Sequence, residues 1–282
     1  MDLKADRSLK GKVAIVTGAG CAGEGFGNGR ATAYLLAEDG ATVICVDRQL
    51  DWAQKTVEYI ETYAKGTAIA CAGDVTSEED ANRIIQTAID TFGRLDILVN
   101  NVGVGGCQGS AVTLDVKAWE RDMTINVSSM VIMSKYAIPA MLKNEHRLKG
   151  SIVNISSVAA LNGGMKNLLY PTSKGAITAM TKNMAYQHGK QGIRVNCVCP
   201  GSVWTPLLYE HPVLSGDTDL SDKVRKTRAE GNMLGTEGYG WDSGYAVRWL
   251  SSPEARWVTG VVLPVDAGLS ATIQLEVPET KD

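Results

Sequence analysis

Two side chains with complementary chemistry stand four residues apart in "YPTSK": Tyr170 and Lys174. On a helix that spacing puts both on one face. Pro171 is tolerated only in the first helical turn, so Tyr170 falls at the helix entrance. An ammonium beside a phenol favours the ionised phenol, the form a general base needs near neutral pH. A Tyr-x-x-x-Lys pair is also common on ordinary helix surfaces. Its meaning depends on what else the chain brings to it.

The second cluster is "VTGAGCAGEGFGNGRAT", Val16 to Thr32. A glycine-rich turn between an apolar strand and a helix cradles phosphate. Two registers compete. With Gly18, Gly20 and Gly23 as the cradle, the helix begins near Glu24 and contains Gly25, Gly27 and Gly29, each costing about 1 kcal/mol relative to Ala. A helix that opens at Asn28 avoids that cost. It sets Gly27, Asn28 and Gly29 at the N-terminus, where free N–H groups face an anion. Gly18 then turns the chain off the strand, and residues 19–26 form an enlarged loop.

The next apolar run, "VICVDR", ends in Asp47. A carboxylate there accepts both ribose hydroxyls of NAD. It repels a 2′-phosphate about 4 Å away by a few kcal/mol at an effective dielectric of about 20. Arg48 offers such a phosphate a partner and weakens the preference. NAD is the expected cofactor, with NADPH-dependent carbonyl reduction as the alternative.

These groups need a frame. Apolar runs at 13–17, 42–47, 67–70, 97–100, 151–156, 194–198 and 261–265 read as strands. Residues 28–39, 50–64, 77–92, 115–148, 170–189 and 241–251 read as helices. Strands apolar on both faces and joined by helices imply an α/β fold with a parallel, doubly covered sheet of about seven strands. No repeat or linker divides the 282 residues, so one domain, 1–282, is expected. Residues 207–240 interrupt the rhythm and read as a substrate lid at the carboxyl edge of the sheet. Residues 272–282 read as a loose tail.

Composition narrows the partners. The net charge is −3, with no stripe of Lys and Arg to attract nucleic acid. No apolar stretch is long enough to span a membrane. The polar start "MDLKADRSLKGK" does not read as a secretory signal, which makes a cytoplasmic location the expectation. Cys21, Cys45, Cys71, Cys107, Cys197 and Cys199 are scattered. Together with His146, His188 and His211 they offer no metal-ligand spacing.

Eight stretches, in order, resemble the classical short-chain dehydrogenase/reductase family over almost the whole chain. They are "LKGKVAIVTGAG", "GDVT", "LVNNVG", "INVSS", "IVNISSVAA", "YPTSK", "CPGSVWTP" and "TGVVLPVDAG". The resemblance implies a Rossmann-like fold and a Ser-Tyr-Lys-Asn site. Ser157, thirteen before the tyrosine, is expected to hold the substrate oxygen. Tyr170 exchanges the proton, Lys174 binds the nicotinamide ribose, and Asn126 supports a water in the proton relay. Asp74 and Val75 form the adenine-side turn. Asn100, Asn101 and Gly103 line the cofactor cleft with Pro200 and Gly201, while Val203 and Thr205 fix the carboxamide. Family members form tetramers, so a homotetramer or homodimer is expected.

The implied activity is hydride transfer between NAD and a small, largely apolar secondary alcohol or ketone, alicyclic or aromatic. Family geometry would line its pocket with Val104, Leu161, Met165, Leu168, Leu169, Trp204, Leu207, Leu208 and Tyr209. Lys166 is the sole cation in the central stretch, and no Arg fork is evident there. A non-catalytic dinucleotide sensor is the reading from another class, against which both Tyr170 and Lys174 are retained. Two departures stand out. Eight residues, not the usual three, separate Gly18 from Gly27, and Ala267 stands where Gly is usual.

Overall fold

Apolar residues on both faces of nearly every central strand force helices onto both sides of the sheet. The computed structural model describes residues 4–5, 7–210, 214 and 216–272. In chain order, β1 (Val13–Thr17), α1 (Asn28–Glu38), β2 (Thr42–Asp47), α2 (Leu50–Tyr59), β3 (Thr67–Ala72), α3 (Glu78–Phe92) and β4 (Ile97–Asn100) build one half. α4 (Val116–Met123), α5 (Ser129–Met141), β5 (Gly150–Ile155), α6 (Leu169–Gly189) and β6 (Ile193–Pro200) build most of the other. Next come β7 (Val203–Trp204), α7 (Pro206–Tyr209), α8 (Thr218–Glu230), β8 (Gly238–Tyr239), α9 (Gly240–Ser251) and β9 (Val262–Val265).

The main sheet has seven parallel strands, as the sequence pattern predicts, and their order is β3-β2-β1-β4-β5-β6-β9. Strand alternation sorts its side chains into two cores. Ala14 and Val16 of β1 join Leu36 of α1 and Leu250 of α9 on one face. Val13 and Ile15 join Ile84 of α3 and Met133 of α5 on the other.

Three expected elements differ in the structure. The helix expected over 115–148 stops at Met141 and is divided by a π-helical turn, Thr124–Ser128. It stops because Asn144 Nδ2 donates to Leu95 O and Lys149 O, both at 2.7 Å, bending the chain back toward β5. The helix expected over 50–64 widens into a π turn at Ile60–Ala64 and ends at Lys65, with φ of 54°. The segment 207–240, expected as a loop, contains the 13-residue α8, whose Asp217 cap accepts from Leu220 N at 2.9 Å. Its run of Lys, Arg, Glu and Ala is helix-forming, but its polarity hid it from an apolar-period reading. His211 and nearly all of the expected tail at 272–282 lie outside the described residues.

One carboxylate ties the amino ends of β1 and β4. Asp96 accepts from Val13 N at 3.0 Å, Lys12 Nζ at 3.1 Å, and Arg94 Nε and Nη2 at 2.8 and 2.7 Å. Its side chain is 6% exposed, while those of Lys12 and Arg94 are about a third exposed. Asp96→Ala strands a buried N–H and two cations that water reaches in part. The expected loss is about 2–3 kcal/mol, read as a lower urea midpoint with an unchanged slope.

Candidate active site

The strand order places β1 between β2 and β4, so successive crossovers leave β1 in opposite directions. The resulting crevice at the carboxyl ends of the strands is where such sheets bind ligands. The expected site residues gather along this edge. Gly18 follows β1, Asp47 is the last residue of β2, and Asp74 follows β3. Asn100 is the last residue of β4, with Asn101 to Gly103 after it, and Ser157 and Gly201 follow β5 and β6.

At the β1 end, Gly18 turns with φ of 62°, and α1 begins at Asn28 as expected. Gly29 packs on the Gly18 carbonyl so closely that any Cβ would strike its oxygen. Asn101 Nδ2 donates to the carbonyls of Thr17 and Gly18 at 3.2 and 2.9 Å, fixing this turn from β4. Gly27 caps α1 without a side-chain hydrogen bond, and no acidic residue occupies the first turn. Space in front of Gly27 is open but for Cys21. An uncapped helix N-terminus beside open space is the right cradle for a pyrophosphate.

The enlarged loop is not filler. Gly20 N donates to Asp47 Oδ2 at 3.1 Å, and Gln49 N donates to Oδ1 at 3.1 Å. A Cβ on Gly20 would lie 2.5 Å from Trp52 Cβ. Gly20 is thus packed between Asp47 and Trp52. Burial pushes the Asp47 carboxyl up, and the surrounding backbone N–H groups pull it down. The loop is anchored by Arg30, fully buried, which donates through Nη1 to Gly25 O at 2.5 Å and through Nε to Thr56 Oγ1 at 3.1 Å. Phe26 inserts among Tyr34, Tyr59 and Trp241. Across the crevice, Tyr209 Oη donates to Glu24 O at 2.6 Å.

Further along the edge, Asp74 accepts from Thr76 N and Oγ1 at 2.9 and 2.7 Å, closing the turn after β3. The side chain of Val75 is core. Asn100, expected at the cleft, turns its side chain inward and donates to Asn154 Oδ1 at 2.9 Å. Gly201 crosses Asp266, which would meet a Cβ at 2.6 Å. Pro200 ends β6, Val203 lies in β7, and Thr205 is buried ahead of α7.

The four residues expected to react lie on converging elements. Lys174 is 3% exposed, and its Nζ donates to Ile155 O at 3.1 Å. That ammonium lies 5.6 Å from the centroid of the Tyr170 ring. A Cβ on Gly103 would sit 3.0 Å from it, so glycine is what lets β4 approach. Asn126 lies in the π turn, a distortion that often marks functional positions. It accepts from Val104 N at 2.8 Å and donates to Val104 O and Ser173 Oγ, both at 3.0 Å. Ser157 accepts from Ala159 N at 3.2 Å. Neither its hydroxyl proton nor that of Tyr170 has a protein acceptor among the described residues, leaving both for a ligand.

The apolar lining differs from expectation at Leu169, which is 1% exposed and belongs to the interior beneath Gly106. Leu161, Met165, Leu168 and Leu207 are exposed around the crevice, and Lys166 faces solvent. Sequence reasoning missed Arg228 of α8, whose guanidinium reaches the carbonyl of Val203 at 3.4 Å.

Comparison with known proteins places this geometry. The family model described as Enoyl-(Acyl carrier protein) reductase matches residues 22–270. (+)-Borneol dehydrogenase 2 of Salvia officinalis is 39% identical over 268 residues, covering 94% of this chain and 91% of the relative. A short-chain dehydrogenase/reductase structure from Burkholderia xenovorans superposes with a TM-score of 0.87 at 38% identity, covering 96% of this chain and all of the other. A 7α-hydroxysteroid dehydrogenase complexed with NADH and 7-oxo glycochenodeoxycholic acid superposes at 0.82 with 33% identity, covering 95% and 98%. The fold, the glycine cradle and these relatives agree on an alcohol/ketone oxidoreductase of the nicotinamide-dinucleotide type, and the chain belongs to the classical short-chain dehydrogenase/reductase family.

Proposed function

We propose that the protein is an NAD-dependent alcohol dehydrogenase that interconverts a small secondary alcohol and its ketone, with Tyr170 as the proton-exchanging group. The observation that carries this reading is the pair of hydroxyls, Ser157 and Tyr170, without protein acceptors among the described residues, with Tyr170 beside the buried ammonium of Lys174. When bound, NAD supplies the hydride acceptor. Ser157 donates a hydrogen bond to the substrate oxygen and orients it. Tyr170 takes the hydroxyl proton of the alcohol as its carbon is oxidised, and returns it in reduction. Lys174, whose ammonium lies 5.6 Å from the centroid of the Tyr170 ring, binds the nicotinamide ribose beside it. Asn126, by fixing Val104 and Ser173, holds the floor on which Tyr170 and Lys174 stand. Asn126 also supports the relay water.

Asp47 carries the choice of NAD, because a partly buried carboxylate accepts ribose hydroxyls and repels a 2′-phosphate. Gly18, Gly27, Asn28 and Gly29 hold the pyrophosphate. Asp74 and Val75 flank the adenine, while Val203 and Thr205 hold the carboxamide. We read residues 1–282 as one domain with 207–240 as its lid. The six free cysteines fit a reducing, cytoplasmic setting. Among the described residues, no helix is long and apolar enough to cross a membrane.

Tyr170→Phe keeps the ring and removes the proton carrier. The expected result is a fall in kcat of at least about 100-fold, with NADH binding unchanged by fluorescence titration. Retained turnover would overturn the assignment. Side-by-side titration is expected to favour NAD over NADP by more than about tenfold, and Asp47→Ala to narrow that gap. A preference for NADP in the unaltered protein sinks the reading of Asp47.

Exposed apolar side chains support assembly into a homotetramer or homodimer. Val112, Val116 and Val131 stand out before and along α4 and α5, and Tyr186 on α6. Tyr245 and Trp249 do so on α9, followed by Trp257 at 90% exposure. Light scattering is expected to give a mass of two or four chains of 30.1 kDa. A monomer at micromolar concentration contradicts this.

A further inference from the structure

The enlarged loop and the short helix α7 meet across the crevice. Tyr209, the last residue of α7, donates from Oη to the carbonyl of Glu24 at 2.6 Å. Two glycines of the loop make room for that meeting. A Cβ on Gly25 would strike the Tyr209 hydroxyl, and one on Gly23 would strike the Glu210 carboxylate. Both have positive φ, 96° and 66°, a conformation that side chains disfavour. On the far side, the Tyr209 and Trp204 rings lie 5.6 Å apart, and the Arg225 guanidinium lies over Trp204 at 5.6 Å. Arg225 is in turn bidentate with Glu237, at 2.9 and 2.8 Å. The contact therefore runs from the loop through α7 and β7 into α8.

Each end of this contact stands close to a group assigned above to the dinucleotide. Glu24 precedes Gly27 by three residues, a reach of at most about 11 Å. Tyr209 follows Thr205 by four residues, about 6 Å along a helix. Gly27 opens the cradle read as the pyrophosphate's, and Thr205 is read as a holder of the carboxamide. A dinucleotide laid along the strand ends runs from one to the other. It passes between a floor of Gly18, Asn101 and Gly103 and a bridge of Glu24 and Tyr209. The excess of the loop over the usual three residues supplies the chain for this reach.

We infer that Tyr209 is a cofactor-retaining residue: bonded to Glu24, it roofs the crevice, and the dinucleotide leaves when this bridge opens. This rests on the placement of the dinucleotide above and deepens it. The enlarged loop gains a task beyond the phosphate turn. Tyr209, expected from sequence in the substrate pocket, spends its hydroxyl on the cofactor side. A hydrogen bond between neutral groups is worth a few-fold in a rate, so the bridge slows release without preventing it.

The test follows NADH as it leaves the full chain. The protein–NADH complex is mixed in a stopped-flow with a large excess of NAD and no alcohol, so that exchange alone takes place. The decay of fluorescence gives the release rate. Tyr209→Phe keeps the ring against Trp204 and removes the donor, and release is expected to become at least about threefold faster. Gly25→Ala puts a methyl group where the Tyr209 hydroxyl lies and is expected to speed release as well. Both break the same bond, so the double variant is expected to be no faster than the faster single one. The melting temperature of each variant confirms that it is folded at the assay temperature; where Gly25→Ala is not, Tyr209→Phe alone decides. A smaller change in Tyr209→Phe overturns the inference and returns Tyr209 to the substrate pocket. Two effects that multiply in the double variant also overturn it. The same exchange is run with NADPH against NADP. Tighter binding of NADPH overturns the reading of Asp47 alone, since Tyr209→Phe is then judged on NADPH release.

Discussion

A buried ammonium organises this molecule. Lys174 sits 3% exposed in the first turns of α6, and no ion pair to it is found among the described residues. Everything that approaches it does so on its terms. The end of β5 supplies the carbonyl of Ile155, and the residue after β4 must be Gly103 for the backbone to pass at contact distance. The Lys174 carbonyl accepts from Ser156 Oγ at 2.8 Å, so the strand that delivers Ser157 is bonded to the helix that delivers Tyr170. The π turn brings Asn126 onto Ser173, the neighbour of the lysine in sequence. A charge that water cannot reach is expensive unless its surroundings are fixed. The same fixing sets the geometry of the hydroxyl pair in front of it.

Behind that site runs a second polar line inside the sheet. Asn100 donates to Asn154, and Asn154 donates to Thr181 Oγ1 at 3.0 Å. Strands β4 and β5 are thereby bonded to α6 through side chains as well as through packing. Such a network in a low-dielectric interior specifies one register, which a parallel sheet with apolar residues on both faces would otherwise define only through packing. The cleft residues Asn101 and Gly103 inherit their positions from this register.

Much of this was legible in the sequence. The strands themselves and the start of α1 at Asn28 follow from periodicity and from the cost of glycine inside a helix. Tyr170 and Lys174 follow from spacing and from Pro171. What escaped reading depends on contacts between distant segments. No local signal says that Gly20 reaches across to Asp47, 27 residues on. Nor does any say that Asn144 folds back on Leu95 and ends a helix early. Helix α8 was readable from Asp217 and its helix-forming residues. The inward turn of Arg228 was not, because i and i+3 on one helix look alike until the neighbours are known.

The strap from Tyr209 to Glu24 joins residues 185 apart in sequence, and its two ends are held very differently. The Glu24 side is riveted by Arg30, by the aromatic nest around Phe26, and by Glu24 itself, paired with Lys55 and Tyr59. The Tyr209 side belongs to a four-residue helix, with Trp204 as its ring neighbour at 5.6 Å. One neutral hydrogen bond nets about 1 kcal/mol in water, too little to lock a crevice and enough to bias it shut. The two walls of the crevice are therefore held to different depths, one by several side chains and the other chiefly through this hydrogen bond and the Trp204 ring.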